Sequence, residues 1–113
     1  NIPKVIYTWP EIASVGITKK EASEKNIELK TYKSFYLANG RAVAQGDAEG
    51  FLEIFTDAKT NKILGAHIIG ASASEIIHII SVAVHAKMDK DSLKDIVFAH
   101  PSFSELIYEA LGK

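Results

Sequence analysis

A histidine–proline pair followed by a glutamate is the part of this chain best suited to proton chemistry. His100 precedes Pro101, which disfavours helical backbone at the histidine, and the pair lies between two predicted helices. A short loop held at both ends presents a side chain outward on a rigid mount. Imidazole exchanges protons near neutral pH. Glu105, five residues further on, can fold back to hold one ring N–H and make the ring a stronger base.

Glu105 also fits a purely structural role. Ser102 and Glu105 have the spacing of a capping box, in which a hydroxyl and a carboxylate satisfy the first amides of a helix. From spacing alone two interpretations stay open. Either His100 and Glu105 form an acid–base dyad, or Glu105 caps the last helix beside an exposed histidine.

The remaining histidines and Arg41 fit structural roles better than chemical ones. His78 and His85 share a predicted helix, about 10.5 Å apart along its axis, whereas a helical metal pair is spaced i, i+4. We expect both to form part of a polar stripe. His67 lies in a predicted strand with one face exposed. Arg41 follows a strand and suits an anion, but pairing with a nearby carboxylate is more usual. We therefore predict no metal site.

Composition predicts a single ordinary globular domain over residues 1–113. Hydrophobic residues make up 47% and charged residues 24%, as in soluble proteins generally. The net charge of −1 argues against nucleic acid as a partner, and no apolar run is long enough to span a membrane. The absence of cysteine excludes a disulfide framework, a thiolate metal site and a cysteine nucleophile in this chain. The start at Asn1 suggests a fragment or a processed chain.

In the predicted elements that must position His100, strands come first along the chain and helices mostly later. The patterns predict strands at 5–8, 12–16, 27–37 (with a bulge), 51–56 and 63–69, and helices at 19–25, 72–87, 89–97 and 102–111, with one helical turn between residues 39 and 50. A polar turn over 57–62 makes a hairpin of the fourth and fifth strands. This order predicts an α+β fold, an antiparallel β-sheet with helices packed on one face.

The predicted helix over 72–87 carries a further indication. Capping boxes at Thr18–Glu21 and Ser72–Glu75 predict the starts of two helices. The helix after Ser72 is apolar around most of its circumference, so it needs a second buried surface besides the sheet. We expect a partner subunit or neighbouring domain there. The isolated domain is then expected to self-associate or to expose a large apolar patch.

Several motifs in order resemble one enzyme family. The segment 99–105, Ala-His-Pro-Ser-Phe-Ser-Glu, resembles the His-Pro-(Thr/Ser)-x-x-Glu motif of the C-terminal interface (dimerisation) domain of the flavin disulfide oxidoreductases. Residues 2–8 and 10–16 resemble the start of that domain. Residues 38–42 and 63–70 are most similar to its dihydrolipoamide dehydrogenase branch. Trp9 stands where the family usually has histidine, and the chain lacks the dinucleotide-binding glycines and redox cysteines.

The resemblance implies that this chain is the last quarter of a homodimeric flavoenzyme. That enzyme oxidises dihydrolipoamide through a disulfide and FAD to NAD+, and serves the lipoyl-carrying acyltransferase of 2-oxoacid dehydrogenase complexes. His100 would enter the partner subunit's site and take a proton from the substrate thiol, with Glu105 orienting it. The family also implies a cis His100–Pro101 bond and main chain at His100 near the partner's FAD. The fragment alone would be inactive, and the enzyme would work in the bacterial cytoplasm, which is favoured, or in the mitochondrial matrix.

Three alternatives remain. The first is the same domain of another flavin disulfide reductase, of the glutathione or mercuric reductase type. The second is a non-catalytic dimerisation module. The third is an independent α+β domain that binds a small ligand.

Overall fold

A five-stranded antiparallel sheet is the centre of the computed structural model, which describes residues 2–112. The strands run in the spatial order β1-β2-β5-β4-β3, and every neighbouring pair is antiparallel. They are β1 (Lys4–Ile6), β2 (Ile12–Gly16), β3 (Leu29–Phe35), β4 (Gly50–Asp57) and β5 (Ile63–Gly70). The predicted hairpin of β4 and β5 forms the middle of the sheet.

Two of the five α-helices in residues 2–112 build the core on one face of this sheet. The five helices are α1 (Lys19–Glu24), α2 (Gly40–Gln45), α3 (Ala73–His85), α4 (Lys90–Lys94) and α5 (Glu105–Leu111). α3 packs on β2 and β5, and α5 packs on β3 and β4. The short α1 contributes to the opposite face, where Lys19 contacts Glu53 and Phe55. The predicted α+β class and antiparallel sheet are confirmed.

The register explains why one face of the sheet is apolar. Alternate residues of β4 and β5 point to the helices, and Leu52, Ile54 and Ile68 among them are completely buried. They pack against side chains of α3 and α5 such as Ile77 and Ile107. Each fully buried side chain of this size contributes about 1.5–3 kcal/mol. This core holds the helix that carries Glu105 against the sheet.

The third strand is shorter than predicted and carries no bulge. β3 ends at Phe35, its pairing with β4 is regular throughout, and the register shift lies between β4 and β5 at Phe55/Thr56. A 3₁₀ turn, Tyr36–Ala38, follows. Tyr36 turns into the core, where its hydroxyl donates a 2.6 Å hydrogen bond to the carbonyl of Ala71. That buried contact ends the strand.

Two other predicted elements were too long. β1 spans only Lys4–Ile6, where 5–8 was predicted, and pairs with β2 alone. α4 ends at Lys94, where a helix to 97 was predicted. Leu93 is the only buried residue of α4, and Val97 is 93% exposed. The apolar residues that follow Lys94 are not buried, so no tertiary packing stabilises further turns of this short helix.

Of the capping boxes predicted at Thr18–Glu21 and Ser72–Glu75, one is present and the other is not. The box at Thr18–Glu21 is confirmed, with both reciprocal hydrogen bonds present. The box at Ser72–Glu75 is wrong. Ser72 has φ 61° and makes no side-chain cap bond. Instead, Glu11 Oε1 accepts hydrogen bonds from the backbone N–H and the hydroxyl of Ser74, at 3.0 and 2.9 Å. A carboxylate from a distant segment occupies the start of α3.

The third helix, α3, has a buried side and an exposed side. Its inner side includes Ile76, Ile77 and Ile80, which are buried against the sheet. Its outer side shows Val82, which is 65% exposed, and Ile79, which is half-buried.

Within residues 2–112, no helix has the length and apolar character needed to cross a membrane.

Candidate active site

The loop between α4 and α5 carries His100. α4 ends at Lys94 and α5 begins at Glu105, so residues 95–104 form a connection anchored at both ends. The His100–Pro101 peptide bond is cis, as predicted, and so is Trp9–Pro10, which was not predicted. The His100 side chain is 78% exposed, whereas Glu105 is only 24% exposed. The loop therefore presents the imidazole outward from a carboxylate that is itself half-buried.

His100 and Glu105 are joined by a hydrogen bond. Nδ1 of the ring lies 3.0 Å from both Glu105 carboxylate oxygens. Carboxylate oxygens of an ionised glutamate only accept, so Nδ1 carries the hydrogen that is donated. In the neutral ring the other nitrogen, Nε2, is then the basic one. The carboxylate fixes both the ring's orientation and its tautomer.

Glu105 has a second partner in the same loop. The Ser102 backbone N–H donates to Glu105 Oε1 at 2.9 Å. This bond lowers the pKa of Glu105, and the hydrogen bond and charge of His100 lower it further, against the opposing effect of burial. The carboxylate is therefore ionised at neutral pH. One glutamate serves both the imidazole and the start of the helix.

The predicted capping box at Ser102–Glu105 is only half present. The helix starts at Glu105 with Ser104 as its N-cap, and Ser104 makes no side-chain cap bond. The carboxylate half of the box exists, but the buried Ser102 hydroxyl has no hydrogen-bond partner. Residues 103 and 104 form a turn before the helix, so the Ser102 hydroxyl is too early in the chain to cap it.

Asn39 ties the loop to the rest of the domain, and the sequence analysis missed it. Its side chain is buried at the start of α2, where Oδ1 accepts from the Ala42 N–H at 3.0 Å. Its Nδ2 donates to the Ser102 carbonyl at 3.1 Å and to Glu109 at 2.8 Å. Asparagine is a strong helix N-cap, and this preference is the one signal in the neighbouring sequence that could have pointed to Asn39. Its partners are 63 and 70 residues away.

Two further contacts surround the imidazole loop. A side-chain β-carbon placed on Gly40 would lie 4.0 Å from His100 Cε1, so the ring stands against the first turn of α2. The Phe103 ring packs on Tyr36 with centroids 5.9 Å apart. Beside Glu105 is an open cleft of about 390 Å³ with Val97, Phe98 and Tyr108 among its lining residues. The His100–Glu105 pair thus has a packed side and an open side, and the cleft on the open side also has the charged Lys94 and Asp95 in its lining.

The other candidate residues lie apart from this site. His67 Nε2 is 2.6 Å from Glu53 Oε1 on the face of the sheet opposite the core, between the rings of Phe51 and Phe55. It pairs with a buried carboxylate, which is a structural role. His78 and His85 are exposed on α3, and Arg41 is exposed on α2. Among residues 2–112 no three His, Asp or Glu side chains cluster in a way that could hold a metal ion.

The arrangement is chemically suited to accept a proton from a group outside this chain. An exposed imidazole with its Nδ1–H held by an ionised carboxylate has a basic Nε2, and the carboxylate stabilises the imidazolium once it is protonated. A substrate acid such as a thiol would have to reach Nε2 from the exposed side. The chain has no cysteine of its own to act as nucleophile or redox group.

A family model and many curated proteins match nearly the whole chain. The model described as pyridine nucleotide-disulphide oxidoreductase, dimerisation domain, matches residues 2–111. A dihydrolipoyl dehydrogenase of Cupriavidus necator is 42% identical over 109 residues, covering 96% of this chain and 23% of that protein. A leghemoglobin reductase of Glycine max is 39% identical, covering 97% of this chain and 21% of its own length. The chain thus spans about a quarter of the length of these relatives.

Solved structures agree with the sequence comparisons. The HOCl-induced flavoprotein disulfide reductase RclA of Escherichia coli superposes with a TM-score of 0.93 at 28% identity, covering 99% of this chain and 26% of RclA. LpdA of Mycobacterium tuberculosis superposes with a TM-score of 0.91 at 29% identity, covering 98% of this chain and 24% of LpdA. By its fold and by this match over almost every residue, the chain belongs to the dimerisation domain family of the pyridine nucleotide-disulphide oxidoreductases.

Proposed function

We propose that this domain supplies His100 as the acid–base residue, and Glu105 as its orienting carboxylate, for the oxidation of dihydrolipoamide in a homodimeric flavoenzyme. The hydrogen bond of His100 Nδ1 to both Glu105 oxygens is the observation that carries the proposal. It leaves Nε2 as a base on an exposed side chain. Curated relatives named dihydrolipoyl dehydrogenase, at 34–42% identity, support the choice of substrate.

The proton step follows from thiol chemistry. A thiol has a pKa of about 8.5, and only its thiolate attacks a disulfide. In the proposed step, His100 Nε2 takes the proton from one substrate thiol, and the resulting thiolate attacks the enzyme disulfide. That attack breaks the enzyme disulfide, forming a mixed disulfide and releasing one enzyme sulfur as a thiolate. The second substrate thiol passes its proton to this thiolate, and its sulfur attacks the mixed disulfide, which closes the substrate disulfide and releases the other enzyme sulfur. The substrate is oxidised by two electrons and the enzyme disulfide is reduced by two. Glu105 stabilises the imidazolium in between.

The cofactors belong to other parts of the proposed enzyme. No two of the seven glycines in this chain are two residues apart, so the glycine pattern that binds dinucleotides is absent, as are cysteines. An imidazole that is 78% exposed, with its other nitrogen fixed, fits a residue offered to a site on another chain. When bound there, FAD would pass electrons from the reduced disulfide to NAD+. The acyltransferase that presents the lipoyl group would be the partner complex.

A hybrid dimer tests the proposed transfer of His100 to the partner's site. One subunit carries His100→Gln, and the other carries a serine in place of its redox cysteine. If His100 acts in the partner's site, one intact site per dimer remains, and the doubly purified hybrid keeps about half the wild-type rate of dihydrolipoamide oxidation. If His100 acts within its own subunit, no intact site remains and the hybrid is inactive. The dimer with His100→Gln in both subunits covers the remaining case, because it keeps the wild-type rate if His100 has no part in this reaction.

A second candidate is another flavin disulfide reductase. RclA, at a TM-score of 0.93, is named a flavoprotein disulfide reductase, and the exposed imidazole suits any thiol partner. Rates with dihydrolipoamide, glutathione disulfide and mercuric ion, measured on the same intact enzyme, separate these substrates. A non-catalytic dimerisation module would show no loss of rate in any His100 variant.

A further inference from the structure

We propose that Asn39 is a positioning residue that holds the His100–Glu105 pair in its working geometry. The inference rests on the proposed function. It concerns a side chain that lies at the start of α2, far along the sequence from the pair.

The hydrogen bonds of Asn39 use both of its amide hydrogens. The side chain is 1% exposed. Nδ2 donates one hydrogen to the Ser102 carbonyl and the other to Glu109 Oε1, while Oδ1 accepts from the Ala42 N–H. One buried amide therefore links α2, the histidine loop and α5. A buried amide satisfied in this way resists displacement, because any movement leaves polar groups unpaired.

Ser102 is the residue through which Asn39 acts on the site. Its carbonyl accepts from Asn39, and its N–H donates to Glu105. The residue is thus held from both sides, two positions after His100. Fixing Ser102 fixes the place of the Glu105 oxygen that also binds the ring.

The start of α2 touches the imidazole as well. A β-carbon on Gly40, the residue after Asn39, would lie 4.0 Å from His100 Cε1. The turn capped by Asn39 is therefore one wall of the space that the ring occupies. Loss of the link between α2 and the loop is expected to let both Ser102 and the ring move.

The test variant is Asn39→Ser in the intact enzyme. Serine caps a helix about as well as asparagine and adds no charge, but it is too short to reach the Ser102 carbonyl or Glu109. We expect kcat for dihydrolipoamide oxidation to fall about 10- to 100-fold, as for a misplaced catalytic group. KM and the rate of flavin reduction by NADH should change less than twofold.

Glu109→Gln is the matched control. Its amide oxygen can still accept from Asn39, while the carboxylate charge is lost, and the bond from Asn39 to Ser102 remains. We expect its kcat to stay within twofold of wild type. An equal fall in both variants, or an unchanged kcat in Asn39→Ser, overturns the inference.

A second readout does not depend on turnover. The rate of diethyl pyrocarbonate modification at one fixed pH is followed at each histidine by mass spectrometry of the intact enzyme. We expect the rate at His100 to fall in Asn39→Ser, because Nε2 is a weaker nucleophile once the bond from Nδ1–H to the Glu105 carboxylate is weakened. The rates at the exposed His78 and His85 should not change. An unchanged rate at His100 contradicts the inference.

Two further variants keep the outcome interpretable. If Asn39→Ser does not yield a folded dimer, Asn39→Thr keeps a capping hydroxyl, adds no charge, is too short to reach the Ser102 carbonyl or Glu109, and is expected to lose kcat in the same assay. His100→Gln is measured in parallel. If it leaves dihydrolipoamide oxidation unchanged, the proposed function fails. If it lowers the rate and Asn39→Ser does not, only the role of Asn39 fails.

Discussion

His100 Nδ1 lies at 3.0 Å from both carboxylate oxygens of Glu105, and Glu105 also accepts the Ser102 N–H. The two interpretations that spacing left open, a dyad and a cap, are therefore not exclusive in geometry. The same carboxylate can orient the ring and satisfy the amide at the start of the helix. Substitutions of Glu105 separate its effect on the reaction rate from its effect on stability.

Loss of the imidazole should abolish one step and spare another. In the intact enzyme, His100→Gln removes the proposed base, so dihydrolipoamide oxidation should fall 10²- to 10⁴-fold, roughly 3–5 kcal/mol of barrier. Electron transfer between flavin and NAD+ should stay near wild type, as stopped-flow absorbance would show. His78→Gln, at an exposed position, is the control. An equal loss in both half-reactions would mean that the substitution damages the fold or the flavin site.

Glu105 variants separate the dyad from the cap. Glu105→Gln can still accept from the Ser102 N–H but loses the negative charge. We expect roughly a fivefold slower rate, because a charge-assisted hydrogen bond is replaced by a neutral one.

Glu105→Ala should add a loss of stability. It removes the bond to the Ser102 N–H as well, which is expected to cost about 1 kcal/mol of unfolding free energy. If Glu105→Gln leaves the rate unchanged while Glu105→Ala lowers only stability, the glutamate is a cap and not part of a dyad.

The pH dependence of stability should report on the same carboxylate. The pKa of Glu105 is lowered in the folded chain, chiefly by the Ser102 N–H and then by His100. Its stabilisation is therefore complete above the ordinary glutamate value of 4.5 and is lost as pH falls through the lower folded value. In urea unfolding, the difference in unfolding free energy between wild type and Glu105→Gln should shrink as the pH falls below about 4.5. A difference that does not vary with pH contradicts this.

The start of α3 should depend on Glu11 and not on Glu75. Glu11 accepts two hydrogen bonds from Ser74, so Glu11→Ala is expected to lower the unfolding free energy by about 1–2 kcal/mol. Glu75→Ala, at an exposed position of the first turn, should stay within about 0.5 kcal/mol of wild type. Thermal or urea unfolding measures both, and the reverse ranking would restore the capping box predicted from sequence.

The outer side of α3 should take part in self-association. Val82 is 65% exposed and Ile79 beside it is half-buried, on a domain of a dimerisation family. We expect the 113-residue chain to form dimers in sedimentation velocity. Val82→Glu should weaken them by at least about tenfold, because a contact through this side would bury an unpaired charge. Lys59→Glu, in the exposed β4–β5 turn, is the charge control. A monodisperse monomer at high concentration would contradict the prediction.

The sequence by itself determined the features that rest on neighbouring residues. The turn between β4 and β5 is one, since Asp57 Oδ1 accepts from the Lys59 N–H two residues later. The capping box at Thr18–Glu21 is another, with both partners three residues apart. The cis bond before Pro101 came instead from a family resemblance, and the structure has it. Two β-type runs joined by a polar turn also placed the central hairpin correctly.

Only the tertiary structure decided which partner satisfies each buried polar group. Ser72 and Glu75 have the spacing of a cap, yet Glu11, more than 60 residues away, binds the first turn of α3. Asn39 reads as a local cap, yet its amide also reaches Ser102 and Glu109. Sequence spacing shows which hydrogen bonds a side chain can make to residues near it in the chain. A buried donor, however, pairs with whichever acceptor the folded chain brings beside it. For that reason the pattern pointed to His100 and Glu105, while the residues that hold them in place became visible only in three dimensions.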